Sequence, residues 1–193
     1  MGFKDLRILF VPIILFITGC SDNHDQLTQP IQITPPYQIN EFLGYFPLNI
    51  DNNWDYRTDN NSYSQKNKVE TKTHVNGVDY FIISNMGEHS YPDTIRIQNN
   101  IVWKFTKNRE VIWFNFDADN NSVYKYNSYN VRVETGLQVK TVLGKFSNCI
   151  GFYFDIPQIA DEEREYIFAK GVGLVRMTGA WVDLKLISFR IKE

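Results

Sequence analysis

Side chains that commonly carry chemistry are few in this sequence, and they are scattered along it. The three histidines, His24, His74 and His89, do not lie at metal-ligand spacing from one another or from a cysteine. There is no Gly-x-Ser-x-Gly sequence, and the glycines at 171 and 173 lack the third glycine of a dinucleotide-binding loop. The sequence therefore predicts a protein that is not an enzyme and that binds no metal or cofactor.

Carboxylates offer a route to catalysis that the sequence leaves open. Asp155, Glu165 and Asp183 lie in strand-like or loop segments. If the fold brought two of them into one cleft, they could act as a general acid and a general base. A hydrolase built on these carboxylates is the alternative to a non-enzymatic protein.

Two acidic segments are candidates for calcium binding, and only the first matches part of a calcium-binding loop. The segment Asp117–Asn121 has the opening Asp-x-Asp-x-Asn spacing, but Ser122 stands where the loop needs glycine and Ser128 where it needs glutamate. We therefore expect a hairpin turn at 117–121. The acidic run Asp161–Glu165 is typical of a solvated loop, and calcium binding there stays open.

The two cysteines, Cys20 and Cys149, have different surroundings. Cys149 lies within the apolar segment CIGFYF, which predicts a buried and unreactive thiol. Cys20 directly follows the small residues Thr18 and Gly19, at the end of an apolar segment. With Cys20 committed elsewhere, as argued below, no disulfide framework is expected.

The N-terminal apolar segment predicts a secretory signal peptide. Its ten residues, Ile8–Ile17, would span about 15 Å as a helix, whereas a bilayer core is about 30 Å thick. Lys4 and Arg7 precede it, and small residues end it. A basic start, a short apolar core and a small-residue end are the parts of a secretory signal rather than of a membrane span.

The residues Ile17-Thr18-Gly19-Cys20 resemble the lipobox of bacterial lipoproteins. The resemblance implies that the signal peptide, residues 1–19, is removed and that Cys20 becomes the lipidated N-terminus. Two or more acyl chains such as palmitate, each contributing about 0.8 kcal/mol per buried methylene, anchor a protein firmly. We therefore expect a protein of the bacterial cell envelope, held through Cys20 in the outer membrane rather than the inner membrane.

Charge and composition exclude some partners. Removal of residues 1–19 changes the formal net charge from −2 to about −3, and no basic stripe is present. Nucleic acid is therefore not an expected partner, and electrostatic docking on anionic lipid is not expected either.

The chain that remains after removal of residues 1–19 is long enough for one domain with a packed core.

Residues 20–40 are expected to form a lipidated tether. The segment is polar, contains Pro30, Pro35 and Pro36, and has no apolar period, which is typical of an extended spacer. An alternative is that the sequence IQIT, residues 31–34, forms an edge strand.

Residues 41–193 are expected to form a single all-β domain. Apolar and polar residues alternate in NNWDYRT, and Asn76-Gly77 separates two strand-like runs, which is a strong hairpin signal. Further turns are expected at Asn99-Asn100 and Lys107-Asn108. Consecutive hairpins predict an antiparallel meander. A change of parity between Leu186 and Ile187 predicts a β-bulge there.

Several strands are apolar on both faces, as in VIWFNF and CIGFYF. A strand with one solvent-exposed face has apolar residues only at every second position. We therefore expect a curled sheet or half-barrel, a second layer, or an apolar concavity. We also expect Trp103, Trp113 and Phe152 to line a concave apolar ligand site; the alternative is that side chains fill this space.

Three separated segments resemble a pattern found in uncharacterised bacterial envelope lipoproteins. The pattern is Phe-Pro-Leu-x-x-Gly-x-x-Trp-x-Tyr, then Gly-x-Phe, then Tyr-x-x-x-x-Gly-Val-Gly-Leu-Val. It matches Phe46, Pro47, Leu48, Trp54, Tyr56, Gly144, Phe146, Tyr166 and Gly171 to Val175. The resemblance implies an antiparallel sheet curled like the half-barrels of lipoprotein-carrier proteins, and no catalytic residues.

This sequence departs from the pattern at Asp51, where the pattern has glycine. If that glycine serves a turn with positive φ, Asp51 can still occupy it, because aspartate and asparagine tolerate this conformation better than most residues. Gly173 is expected at a bulge or at a tight contact under the sheet.

The sequence as a whole predicts a lipid-anchored cell-envelope β domain that serves as a non-enzymatic binding or assembly module. Its expected partners are the membrane, through Cys20, and an apolar ligand or an envelope protein. A structural surface lipoprotein with a protein partner is a further alternative.

Overall fold

A computed structural model describes residue 40 and the ranges 43–86, 91–179 and 182–192. These ranges contain twelve β-strands, and they contain no helix long and apolar enough to cross a membrane. The predicted signal peptide, Cys20 and most of the tether lie outside the described residues. The strands are β1 (Asn53–Arg57), β2 (Ser64–Val75), β3 (Val78–Ser84), β4 (Asp93–Gln98), β5 (Ile101–Thr106), β6 (Arg109–Asn115), β7 (Val123–Tyr126), β8 (Tyr129–Thr141), β9 (Gly144–Asp155), β10 (Arg164–Ala169), β11 (Gly173–Gly179) and β12 (Val182–Arg190).

All twelve strands belong to one antiparallel sheet with the order β6-β5-β4-β3-β2-β1-β12-β11-β10-β9-β8-β7. The first strand therefore pairs with the last, and a meander extends from this central pair in both directions. The two edges, β6 and β7, are consecutive in the chain. The sheet curls into a nearly closed, barrel-like form, which confirms the prediction of an all-β antiparallel meander with a curled sheet.

The hairpin predicted at residues 117–121 is wrong. This segment connects β6 to β7, which stand at opposite ends of the hydrogen-bonded order and do not pair with each other. The segment does reverse the chain, as its polar residues indicate. Polar turn residues indicate where the chain reverses. They do not decide which strands pair, because pairing depends on packing between residues that are distant in the sequence.

The shorter turns follow the predicted chemistry. Both residues have positive φ in Asn76-Gly77 (50° and 82°), Asn99-Asn100 (51° and 54°) and Lys107-Asn108 (49° and 61°). Two left-handed residues define the type I′ turn, whose twist matches that of the flanking strands. Asp51 also has positive φ, at 74°, as expected for the position where the pattern has glycine.

The interior is filled by aromatic rings from strands that lie far apart in the sheet. Phe114 of β6 is fully buried. Its ring centroid lies 4.8 Å from that of Phe168, 5.1 Å from that of Phe152 and 5.5 Å from that of Tyr166. Because these partners belong to β9 and β10, the edge strand β6 packs face to face over the middle of the other half of the sheet.

Two bulges adapt the strands to this packing. In the β1–β12 pair, Asp55 is opposite Ser188 and Tyr56 is opposite Leu186, so Ile187 is the extra residue. The predicted bulge at this position is confirmed. In the β5–β6 pair, Trp113 is the extra residue, and both Trp113 and Phe114 are buried. A bulge allows two consecutive residues to serve the same core.

The first and third segments of the sequence pattern meet in the interior beside β1. Trp54 Nε1 donates a hydrogen bond to the carbonyl oxygen of Val172 at 2.6 Å, and Tyr56 Oη donates to that of Leu174 at 3.0 Å. The β11–β12 register begins only at Arg176. Two side chains of β1 thus donate hydrogen bonds to the backbone carbonyls of residues 172 and 174, which are not paired with β12.

Gly173 makes this contact feasible. Its φ is +103°, and a Cβ atom there would lie 2.9 Å from Trp54 Nε1. The expected tight contact is confirmed. A side chain at this position would push the indole away from the carbonyl that it binds.

We predict that Gly173→Val lowers the free energy of unfolding by about 1–3 kcal/mol more than Gly144→Val does. Gly144 also has positive φ (+123°), but a Cβ there meets nothing within 4 Å. Both variants therefore bear backbone strain, and only the first clashes with Trp54. Urea denaturation of the two variants measures the difference, and equal losses would show that the contact with Trp54 has no energetic weight.

Candidate binding face

The three aromatic residues predicted to line one concave site are divided between the two faces of the sheet. Trp113 and Phe152 are 2% and 0% exposed and belong to the core. Phe114 joins them, with ring centroids 4.7 Å from Trp113 and 5.1 Å from Phe152. Trp103 is half-buried on the opposite face of β5 from Val102, which is a core residue. A ligand beside Trp113 and Phe152 would have to displace packed side chains, and such a site stays a prediction.

A small pocket lies elsewhere, at the contact between β1 and β11. Its lining includes Trp54, Tyr56, Asn67 and Leu174, and it has no room for a water-sized sphere. Ligand sites for small molecules usually measure about 300–1,000 Å³. This pocket is therefore too small for such a ligand as it stands.

The face of β3–β6 that is turned away from the core carries two rows of side chains across four strands. Residues directly opposite each other in paired strands share a face. The register gives one row of Ile82, Thr94, Phe105 and Glu110. The second row contains Arg96, Trp103 and Ile112, and Tyr80 lies at its β3 end. We call these eight residues the aromatic face.

The centre of the aromatic face is a hydrogen-bonded ion pair. Arg96 donates to Glu110 from Nε to Oε1 at 2.5 Å and from Nη2 to Oε2 at 2.8 Å. Tyr80 Oη donates to the same Oε1 at 2.7 Å. Tyr80 and Glu110 stand three strands apart, or about 14 Å at the usual strand spacing. They can meet only because both side chains lie flat along the sheet.

The pKa values of this cluster follow from its contacts. The hydrogen bonds from Arg96 hold the pKa of Glu110 below its usual range, against the opposing effect of partial burial. The same bonds raise the pKa of Arg96. Burial, followed by the bond to Glu110, raises the pKa of Tyr80. At neutral pH the cluster therefore consists of a carboxylate, a guanidinium and a neutral phenol.

Aromatic rings surround the ion pair. The Arg96 guanidinium lies over the Trp103 ring, 5.4 Å from its centroid. Tyr80 and Phe105 have ring centroids 5.6 Å apart. Aromatic residues and arginine are the types most enriched at the centres of protein interfaces. The aromatic face thus combines such residues with side chains that are already held in place before any partner binds.

The outward face of β10–β12 is ionic instead. Arg176 binds Asp183 at 2.9 Å and lies 3.9 Å from Glu165. Lys185 binds Asp59 at 2.5 Å. Of the carboxylates predicted for a hydrolase, Glu165 and Asp183 thus flank one arginine on an open face. Asp155 lies at the end of β9 and takes no part in these ion pairs.

Cys149 is buried, and burial raises the pKa of its thiol to about 11. The thiol therefore stays protonated at neutral pH, as expected for an unreactive cysteine. In the part of the chain that the structure describes, no group of three or more His, Cys, Asp and Glu side chains is arranged to hold a metal ion.

Arg96 and Glu110 are not among the residues that the sequence patterns predict to form a site. A weak signal was present, because Arg96 lies between Ile95 and Ile97, and Glu110 directly precedes the apolar run that begins at Val111. Their pairing skips β5, so it can be found only once the register of three strands is known.

We predict that Glu110→Gln lowers the free energy of unfolding by about 1–3 kcal/mol at pH 7, the usual range for a hydrogen bond to a charged group. A carboxyl whose pKa is lowered by folding contributes stability above its unfolded pKa and loses it as the pH falls through the folded pKa. The difference from the wild type should therefore shrink below about pH 4.5, the ordinary value for glutamate.

Glu134→Gln is the matched control, because the Arg132–Glu134 pair is more exposed. It should cost under about 1 kcal/mol. Denaturation at pH 7 and at pH 3 measures both variants. A loss at Glu110 that is independent of pH would contradict an ionic role.

Comparisons of the chain with protein-family models, with curated proteins and with solved structures find no match.

Proposed function

We propose that this protein is a lipid-anchored β domain of the bacterial cell envelope that binds another envelope protein through the aromatic face. In this proposal it is not an enzyme. Lipid on Cys20 holds it to a membrane, the outer rather than the inner one, and residues 21–40 act as its tether. The lipobox-like sequence ending at Cys20 supports the anchor, and the aromatic face supports the binding role.

The observation that carries the binding role is the contrast between the two outward surfaces. On β10–β12 the outward side chains are ion-paired and compatible with water. On β3–β6 they include Ile82, Trp103, Phe105 and Ile112, which are half-buried and do not pack against the core. A partner that covered these four half-buried residues would remove further apolar surface from water, which favours binding.

A protein is the partner that this surface fits best. Arg96 already covers the Trp103 ring, so the indole is not an open platform for stacking a flat ligand. Arg96 and Glu110 neutralise each other, so the surface has no net charge to attract a charged small molecule. Rigid aromatic residues beside a desolvated arginine are typical of the energetic centre of an interface, which a more polar rim then surrounds.

We predict that Trp103→Ala weakens binding of the partner at least tenfold, or about 1.4 kcal/mol. The lipidated protein is used to capture partners from its native envelope, and the affinity of each captured protein is then measured with purified components. Trp103 is expected to act as an anchor residue, so its truncation should mainly speed dissociation.

Tyr153→Ala is the matched control. Tyr153 is also half-buried and outward-facing, and it carries Arg132 over its ring at 5.2 Å, but it lies on β9. Its loss should leave binding unchanged. Equal weakening by both variants, or no specific partner at all, would contradict the assignment to the aromatic face.

The anchor is tested separately. Cys20→Ala should leave the chain without lipid, and the protein should then be released from membranes or be held only by an uncut signal peptide. Mass spectrometry of the wild-type N-terminus measures the modification directly. An unmodified Cys20 in protein from its native envelope would contradict the lipoprotein assignment.

A further inference from the structure

The strands run between two ends of the sheet, and the described chain enters its first strand at one of them. Successive strands alternate in direction, so the turns that follow β2, β4, β6, β8 and β10 lie at the same end as the start of β1. We call this end the entry end. It consists of the connections at residues 44–52, 76–77, 99–100, 116–122, 142–143 and 170–172 and the strand residues beside them.

Exposed aliphatic side chains are concentrated at the entry end. The described ranges contain eight large apolar residues that are exposed. At the opposite end only Ile159 among them is aliphatic, and the other two are tyrosines. The remaining five lie at the entry end, and they are Ile50, Val78, Ile97, Val123 and Val142. Val142 is the most exposed of the five, at 61%.

Val142 lies at the tip of the hairpin formed by β8 and β9. The pairing of β9 with β10 ends at Ile150, whereas its pairing with β8 continues to Gly144. The hairpin therefore extends beyond the last pair that β10 makes with it. Val139 and Phe146 are directly opposite each other and buried, so this part of the hairpin has one face on the core.

Two lysines occupy the outer face of the same hairpin, next to its tip. Lys140 and Lys145 are exposed and directly opposite each other. Like charges at directly opposite positions destabilise a strand pair. Among the described residues no carboxylate forms an ion pair with either lysine. Two cations thus stand uncompensated beside an exposed apolar side chain.

This combination fits an anionic lipid surface. Attachment to a membrane surface strengthens with the apolar area that enters the boundary between headgroups and acyl chains, and with attraction to anionic lipids. Lysines near such a surface each add to that attraction. Val142 supplies the first contribution, and Lys140 and Lys145 supply the second.

The described chain begins beside the same hairpin. Tyr45 Oη donates a hydrogen bond to the carbonyl oxygen of Asn148 at 3.3 Å, and the Gly171 amide donates to the carbonyl oxygen of Gly44 at 2.6 Å. In the proposed function the lipid on Cys20 precedes these residues in the chain. Contact of the entry end with the membrane therefore requires the least extension of the residues between them.

We propose that Val142 enters the headgroup region of an anionic membrane and that Lys140 and Lys145 bind lipid phosphate groups there. The inference rests on the lipid anchor of the proposed function and not on its protein partner. The whole chain has a negative net charge, so the attraction is local to the hairpin that brings the two lysines together. The aromatic face lies along β3–β6 rather than at their ends, so this contact leaves it accessible.

A fluorescent label at residue 142 tests the contact. The full chain, lipidated on Cys20, is reconstituted into vesicles of phosphatidylglycerol and phosphatidylethanolamine, and Val142→Cys carries the label. The Cys149 thiol is buried and protonated at neutral pH, and the sulfur of Cys20 carries lipid, so the introduced cysteine alone reacts. Brominated lipid should quench this label about twofold or more. Ile159→Cys, 51% exposed at the opposite end, is the control and should keep its fluorescence.

The lysines are tested in the labelled Val142→Cys chain. Lys140→Gln with Lys145→Gln should reduce the quenching to about half or less, because the attraction to anionic lipid is lost. Replacing phosphatidylglycerol by phosphatidylcholine should have the same effect. Lys107→Gln with Lys125→Gln removes two exposed lysines at the opposite end and changes the net charge equally. It should leave the quenching unchanged.

The outcomes separate this contact from the anchor. If mass spectrometry finds lipid on Cys20 and the label at 142 is quenched no more than the label at 159, the contact is overturned and the anchor stands. A Cys20 without lipid overturns both. Quenching that both lysine pairs reduce equally, or that neither reduces, overturns the role of Lys140 and Lys145.

Discussion

The pairing of β1 with β12 is the constraint on which the rest of the structure depends. Each half of the sheet is a meander of local hairpins, and this pair alone joins the halves into one hydrogen-bonded order. Trp54 and Tyr56 extend the joint inward to carbonyls of residues 172 and 174. Once the joint is fixed, the outer strands of both halves curl toward each other and β6 comes to lie over β9 and β10.

Because the sheet curls in this way, the apolar residues of its strands lie on two different faces. One parity fills the interior, where aromatic rings contact one another at about 5 to 6 Å, the range in which tilted and edge-to-face pairs are favourable. The outward residues of β3–β6, Ile112 of β6 among them, supply the aromatic face around Arg96 and Glu110. The same strand, β6, thus contributes both to the packed core and to the face to which we assign binding.

Local structure could be predicted from the sequence because it is decided by nearby residues. Asparagine and glycine tolerate positive φ, so the turn at Asn76-Gly77 was readable, and a change of parity placed the bulge at Ile187. Pairings between distant strands could not be predicted in this way. The position of β6 next to β7 and the contact of Arg96 with Glu110 produce no periodic pattern in the sequence, because both depend on how the sheet curls.

The most direct test of this account is a disulfide across the central pair. Asp55 is opposite Ser188, so Asp55→Cys with Ser188→Cys places two cysteines at cross-strand distance and closes a loop across 133 positions of the sequence. If β1 pairs with β12 in this register, an intramolecular disulfide should form readily and raise stability by roughly 2–5 kcal/mol. The pair Asp55→Cys with Arg190→Cys, two residues out of register, should form it poorly. Equal bonding of both pairs, or no intramolecular bond in the first, would contradict the pairing of the first and last strands that joins the two halves of the sheet.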